Sequence, residues 1–200
     1  MMMRRLIMVL VAMLAVSGAA AQESAWQLLG RVSAYMNSEA GYEVQFEIRA
    51  ADYSSEGSYR VKGDSYHIEV AGAEVYSDGE VRYEVDGSRK EVNIDVMDSA
   101  SRNILDNPTR CFDFVEDDYV AEVVSRDAES VKLKLQAKDK AIEGEIFITV
   151  AAKTAAPTKL EYVLYGDRVE VVVRSIDHKV KSVKKFDRSA YKDFEIIDFR

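Results

Sequence analysis

The sequence has one cysteine, two prolines and two histidines in 200 residues, and each scarcity closes off a class of protein. A lone thiol, Cys111, forms no intramolecular disulfide, so an exported chain of this composition is held together by packing and not by cross-links. Cys111 has Arg110 beside it but no histidine, and it falls on an apolar stretch, which reads as a structural thiol and not a nucleophile. His67 and His178 lie far apart and offer no metal-ligand spacing; each reads as a solvated or hydrogen-bonded side chain. A Gly-x-Ser-x-Gly elbow, a phosphate loop and a dinucleotide fingerprint are all missing. Carboxylate pairs such as Asp117-Asp118 and Asp193 with Glu195 are expected of so acidic a chain and imply no chemistry. Neither catalysis nor a cofactor or metal is expected.

Basic clusters are also scarce. The formal charge is −8, and the densest basic stretch, Lys179 to Arg188, is broken by Val180, Val183, Phe186 and Asp187. It reads as a solvated strand face, and nucleic acid is not an expected partner. Long apolar runs are scarce too. Leu6 to Val16 is an unbroken one, but its length of about 11 residues falls short of the roughly 20 that cross a bilayer as a helix. With Arg4 and Arg5 before it and Ala19-Ala20-Ala21-Gln22 after it, this stretch reads as a secretory signal peptide over residues 1–21, cleaved between Ala21 and Gln22. No cysteine stands at the cleavage point to be acylated, so the mature chain is expected to be soluble, in the periplasm or outside. Residues 22–200 are about one domain by length.

What is present is a change of period. From Ser24 to Asn37, Ala25, Leu28, Leu29, Val32, Tyr35 and Met36 recur at helical spacing, with Trp26 at the border; this predicts one long helix. After Gly41 the period becomes two. Tyr42, Val44, Phe46 and Ile48 alternate with Glu43, Gln45, Glu47 and Arg49, giving a strand with one dry and one wet face. The same alternation returns in Tyr59 and Val61; Tyr66, Ile68 and Val70; Val81, Tyr83 and Val85; Val92, Ile94 and Val96; and again from Val131 to Val173. Gly63-Asp64, Asp78-Gly79, Asp86-Gly87 and Gly166-Asp167 supply hairpin turns between the runs. Nine or ten antiparallel strands in series predict a mainly β fold built on one large curved sheet. Alternation stops between Asp98 and Asp118, where Asn107-Pro108 suits the start of a short helix carrying Cys111, Phe112 and Phe114 after Ile104 and Leu105. The leading helix and this segment are the available cover for the apolar face.

The order of these pieces resembles the periplasmic lipoprotein carrier family, LolA, and its LolA-like relatives. The likeness runs through the leading helix, Tyr42-x-Val44-x-Phe46, Gly57-x-Tyr59-x-Val61-Lys62, Ser77-Asp78-Gly79, Glu91-Val92-x-Ile94, the Asn107-Pro108 insert and the closing Ile196-Ile197-Asp198-Phe199-Arg200. It implies an unclosed half-barrel whose hydrophobic interior is covered by helices. It implies a monomeric carrier that takes acylated lipoproteins from an inner-membrane release complex and hands them to an outer-membrane acceptor. The interior would then be a lipid cavity lined by Tyr42, Val44, Phe46, Ile48, Tyr59, Val61, Tyr66, Ile68, Tyr83 and Ile94, with Ile104, Leu105, Phe112 and Phe114 as its lid. Two features depart from the family pattern: Gly63-Asp64 stands where proteobacterial carriers have an Arg-Pro pair that latches the lid, and Arg82-Tyr83 stands where many relatives have a tryptophan. A lipid-binding or envelope-stress sensing module on the same half-barrel, or a static envelope protein with a collapsed interior, are the competing readings.

Overall fold

The computed structural model describes residues 23–37, 39–97, 109, 115–141 and 143–200. The leader and its cleavage site at Ala21 and Gln22, and the segment carrying Ile104, Leu105, Asn107-Pro108, Cys111, Phe112 and Phe114, lie outside these residues. Among the described residues no helix is long and apolar enough to cross a membrane.

The helix α1 (Ala25–Tyr35) begins where the sequence encodes a cap. The Ser24 side chain accepts from the Gln27 amide while Gln27 Oε1 accepts from the Ser24 amide at 2.8 Å, so two otherwise orphaned N–H groups are satisfied reciprocally. Its apolar stripe buries Ala25, Leu28, Leu29 and Val32.

Among the described residues twelve strands follow: β1 (Tyr42–Ala50), β2 (Tyr53–Lys62), β3 (Ser65–Val70), β4 (Ala73–Ser77), β5 (Val81–Asp86), β6 (Glu91–Val96), β7 (Tyr119–Arg126), β8 (Ser130–Ala137), β9 (Glu145–Ala151), β10 (Pro157–Leu164), β11 (Asp167–Asp177) and β12 (Glu195–Asp198). A one-turn helix, α2 (Val115–Asp118), precedes β7. All twelve strands form one unclosed sheet in the order β12-β6-β5-β4-β3-β2-β1-β11-β10-β9-β8-β7. Every pairing is antiparallel except β12 beside β6. Aspartates set several turns: Asp78 accepts from the amides of Glu80 and Val81, Asp86 from Ser88 and Arg89, and Asp127 from Glu129 and Ser130, the side chain standing in for a backbone carbonyl.

Three strands go beyond the alternating runs. In β4, Val75 and Tyr76 are adjacent and both partly or fully covered, because both faces of the sheet are packed there and no alternation results. The edge strand β7 is largely exposed and carries a register shift between Val123 and Ser125, which breaks its period. β12 has only four residues.

The main core joins α1 to Tyr42, Val44, Val61, Tyr66, Met97, Val131, Leu133, Leu135, Ile148 and Val150, all on one face of the sheet. Two hydrogen bonds tie the start of the helix to the turns beside it, from Arg31 Nη2 to the Lys153 carbonyl at 2.6 Å and from Arg126 Nη2 to the Glu23 carbonyl at 2.9 Å. The helix therefore plugs the rim that carries the β7–β8 and β9–β10 hairpins. On the opposite face Glu161, 1% exposed, is roofed by Lys132 at 2.7 Å, Lys159 at 3.4 Å and Arg168. Burial pushes its carboxyl up, but these cations hold it below its ordinary value.

A second core lies on the reverse face at the other end of the sheet. Tyr76, Val85, Val92 and Ile94 are buried there under Phe186, Tyr191, Phe194 and Ile196. The stretch from Lys179 to Arg188 is thus not a strand, although its polar residues are solvated as expected and only Val180, Val183 and Phe186 are half-buried. It is an irregular strap, and Phe186 inside it stacks on Tyr83 with ring centroids 4.2 Å apart.

Candidate functional site

Register shows which expected lining residues share a face. Tyr42 pairs with Val61 and Val44 with Tyr59 across β1 and β2, while Tyr59 pairs with Ile68 and Val61 with Tyr66 across β2 and β3. Since paired residues project to the same side, these seven side chains, counting Phe46 opposite Gly57, stand together on the helix face, as does Ile48. Tyr83 and Ile94 do not. They pair with each other and, through Tyr76, with His67, which places them on the reverse face beneath the strap. The positions that continue the helix face into β5 and β6 are Arg82, Glu84, Asn93 and Asp95, so the apolar floor ends at Val75.

Burial along the helix face falls from one rim to the other. In β1, Tyr42 and Val44 are buried whereas Phe46 and Ile48 are half-buried. In β9, Val150 and Ile148 are buried and Ile146 is half-buried. In β10 and β11 the gradient runs out into solvent, with Leu164 46% and Val169 37% exposed. The reason is dimensional: a helix with its side chains is about 10–12 Å across, while a nine-residue strand such as β1 is about 30 Å long. The helix covers the half of the face that its own rim serves. Among the described residues the remaining half, built from Ile48, Tyr162, Val169 and Val171 with Phe46 and Ile146 at its border with the core, has no such cover and reaches solvent at the far rim. Alternation revealed each of these strands, but only the position of α1 separates the deep half from the open half.

Two clefts border these surfaces. One, of about 630 Å³, combines Phe46, Gly57 and Val70 with Glu56, Glu69 and Arg174. Gly57 is required there, because a Cβ would lie 2.6 Å from the Phe46 ring and 2.9 Å from the Glu69 carbonyl. The other, of about 290 Å³, runs between the strap and β4–β5 beside Tyr76, Tyr83 and Phe186.

The titratable groups gather under the strap. Glu74 accepts from Tyr76 OH at 2.5 Å, Lys184 Nζ at 2.6 Å and Tyr191 OH at 3.1 Å, and its Oε2 lies 3.1 Å from His67 Nε2. Burial raises its pKa, but the hydrogen bonds from Lys184, Tyr76, His67 and Tyr191 outweigh that and hold it at about 2. Burial and the neighbouring carboxylate push the Tyr76 phenol up, and burial with the Tyr76 contact does the same for Tyr191. His67, Glu69 and Glu74 bring three ligand atoms within 4.8 Å of one another. The Lys184 ammonium already neutralises Glu74 there, so the cluster serves as an ion-paired clamp on the strap. His178 meets the edge of Tyr35, with ring centroids 4.8 Å apart.

No family model and no curated protein matches the sequence. Among solved structures, an uncharacterized conserved protein from Thermus thermophilus aligns with a TM-score of 0.57 at 7% identity, covering 87% of this chain and 98% of that one. Lower-scoring matches include a LolA superfamily protein from Nitrosomonas europaea, with TM-score 0.39, 11% identity and coverage of 84% and 97%. Another is the MucA/MucB complex of Pseudomonas aeruginosa, with TM-score 0.44 and 16% identity, where 82% of this chain spans only 59% of that one. At such identities the likeness is one of fold, and the unclosed sheet with a helix on its apolar face is the architecture that the resemblance to the LolA family implies.

Proposed function

We propose that the protein binds acyl chains on the open half of its helix face and serves as a periplasmic carrier of acylated lipoproteins, released from its leader between Ala21 and Gln22. The observation that carries this reading is the burial gradient. A sheet built only as a static core has no reason to keep Ile48, Val171, Val169 and Leu164 apolar beyond the core that its helix completes, since exposed aliphatic surface costs about 25 cal/mol per Å². The LolA-like order of the sequence segments and the unclosed sheet support it.

The test is native purification followed by mass spectrometry, with displacement of a fluorescent fatty acid as the solution readout. Lipid or acylated lipoprotein should co-purify, and Ile48→Asp should abolish fatty-acid binding while the protein stays folded. An envelope preparation without lipid, together with no fatty-acid binding by the wild type, overturns the reading in favour of a static envelope protein.

A further inference from the structure

At the far rim the apolar face meets solvent through two neighbouring hairpins, β1–β2 and β10–β11. Ala50 pairs with Tyr53, and β1 continues beside β11 up to the Arg49–Glu170 pair, so Tyr53 and Val169 flank β1 at the same rim with only the small Ala50 between them. Leu164 and Tyr165 follow in the adjacent hairpin, with Gly144 packed under Leu164. These four side chains form one exposed strip: Tyr53 is 49%, Val169 37%, Leu164 46% and Tyr165 83% exposed.

The backbone at the tip of this strip is strained. Tyr165 sits at φ 51° ahead of Gly166 at φ 92°, a hairpin turn in which both central residues are left-handed and for which Asn-Gly is the unstrained choice. A bulky aromatic at positive φ is a costly occupant, and here its ring is turned almost wholly to water. Flanking charges balance in the hairpins of this rim, with Arg49, Lys138, Lys140 and Arg168 against Asp52, Asp139, Glu143 and Asp167. The rim therefore has apolar side chains, two tyrosines at the level where they meet water, and no net field of either sign.

We propose that this rim is a membrane-contact surface, the port through which the apolar face touches a lipid bilayer. The occupant that fits is the interfacial zone of a bilayer. Tyrosines settle at the headgroup level with their rings in the apolar layer, Leu164 and Val169 enter the acyl boundary, and the balanced charges make no demand for anionic lipid. The role as a port rests on the acyl-binding reading; contact with a bilayer is measured without any acylated cargo.

The experiment is co-sedimentation of the purified chain with phosphatidylcholine vesicles, with and without anionic lipid, at low and high salt. Wild type should partition onto both kinds of vesicle with little change in salt. Tyr165→Asn combined with Tyr53→Ser should lower the partition coefficient about tenfold or more, from the lost apolar area. Tyr165→Asn alone should hold or raise the thermal midpoint, because asparagine tolerates the left-handed turn. The double variant should keep solution binding of the fluorescent fatty acid, since Phe46, Ile48 and Leu164 are intact; failure of wild type in that assay bears on the carrier reading alone. Absence of wild-type binding to either vesicle overturns the port, as does binding that needs anionic lipid and vanishes in salt. Equal partition of variant and wild type, a lower midpoint for Tyr165→Asn, or a wild-type dimer that the double variant dissociates would each overturn it as well.

Discussion

Replacing Glu74 by Gln tests whether one carboxylate clamps the strap to the sheet. Its side chain is 23% exposed and its pKa is held at about 2 against an ordinary 4.5. A displacement of that size corresponds to about 3 kcal/mol of folding free energy, at 1.36 kcal/mol per unit. The sign follows from the depressed folded value: the stabilisation is complete above about pH 4.5, where the unfolded carboxyl is ionised, and is lost as the pH falls towards 2. Urea unfolding of wild type and Glu74→Gln, followed by the fluorescence of the single tryptophan, Trp26, should therefore differ by about 3 kcal/mol at pH 7. The difference should fade below pH 4.5 and be nearly gone at pH 2. Trp26 lies on α1, away from the clamp, so it reports global unfolding; hydrogen exchange over residues 182–194 reports the strap itself and should quicken in the variant at pH 7. A destabilisation of the same size at pH 2 and pH 7 would show that the glutamine disturbs packing, and unchanged exchange over the strap would show that the ion pair with Lys184 is not what holds it.

Two further substitutions separate the deep half of the helix face from the open half. Leu28→Ala removes a fully buried side chain from α1 and should cost about 2–5 kcal/mol in denaturant unfolding, whereas Leu164→Ala at the far rim should change stability by less than about 0.5 kcal/mol; equal losses would mean that the rim is core. Gly57→Ala drives a methyl against the Phe46 ring and the Glu69 carbonyl and should cost about 1–3 kcal/mol, read as a lower thermal midpoint; a neutral result would mean that Phe46 has space to move.

The parts of the fold that local sequence determines were legible, and those set by distant segments were not. The stripe from Ala25 to Met36 announces α1, because a period of 3.6 is local. In β1, alternation of Tyr42, Val44, Phe46 and Ile48 with charged neighbours gives the strand and its wet face together. In β5 and β6 the same alternation misleads, since a period of two says that a strand has a dry face but not which face of the shared sheet that is. Tyr83, Val85, Val92 and Ile94 are dry because Phe186, Tyr191 and Phe194 cover the reverse side, and that cover comes from an aperiodic segment about a hundred residues later in the chain. Glu74 was invisible for the same reason: its partners Lys184 and Tyr191 are joined to it only by the fold.

The division of the helix face has a thermodynamic consequence for the proposed carrier. Each enclosed methylene of an acyl chain gains about 0.8 kcal/mol, so a chain that entered the deep half would be bound too tightly to be passed on. Entry there requires displacing Leu28, Leu29 and Val32, whose burial contributes about 1.5–3 kcal/mol each, and the deep positions stay with α1 unless at least half a dozen or so methylenes replace it. The open half offers Phe46, Ile48, Tyr162 and Val171 as a floor without a tight roof among the described residues, where only part of each methylene's surface leaves water and the gain per carbon shrinks in proportion. The helix thus acts as a built-in competitor that reserves the strongest part of the site for the protein itself. On the proposed carrier reading, what is left over binds acyl chains weakly enough to be released at the rim where they entered.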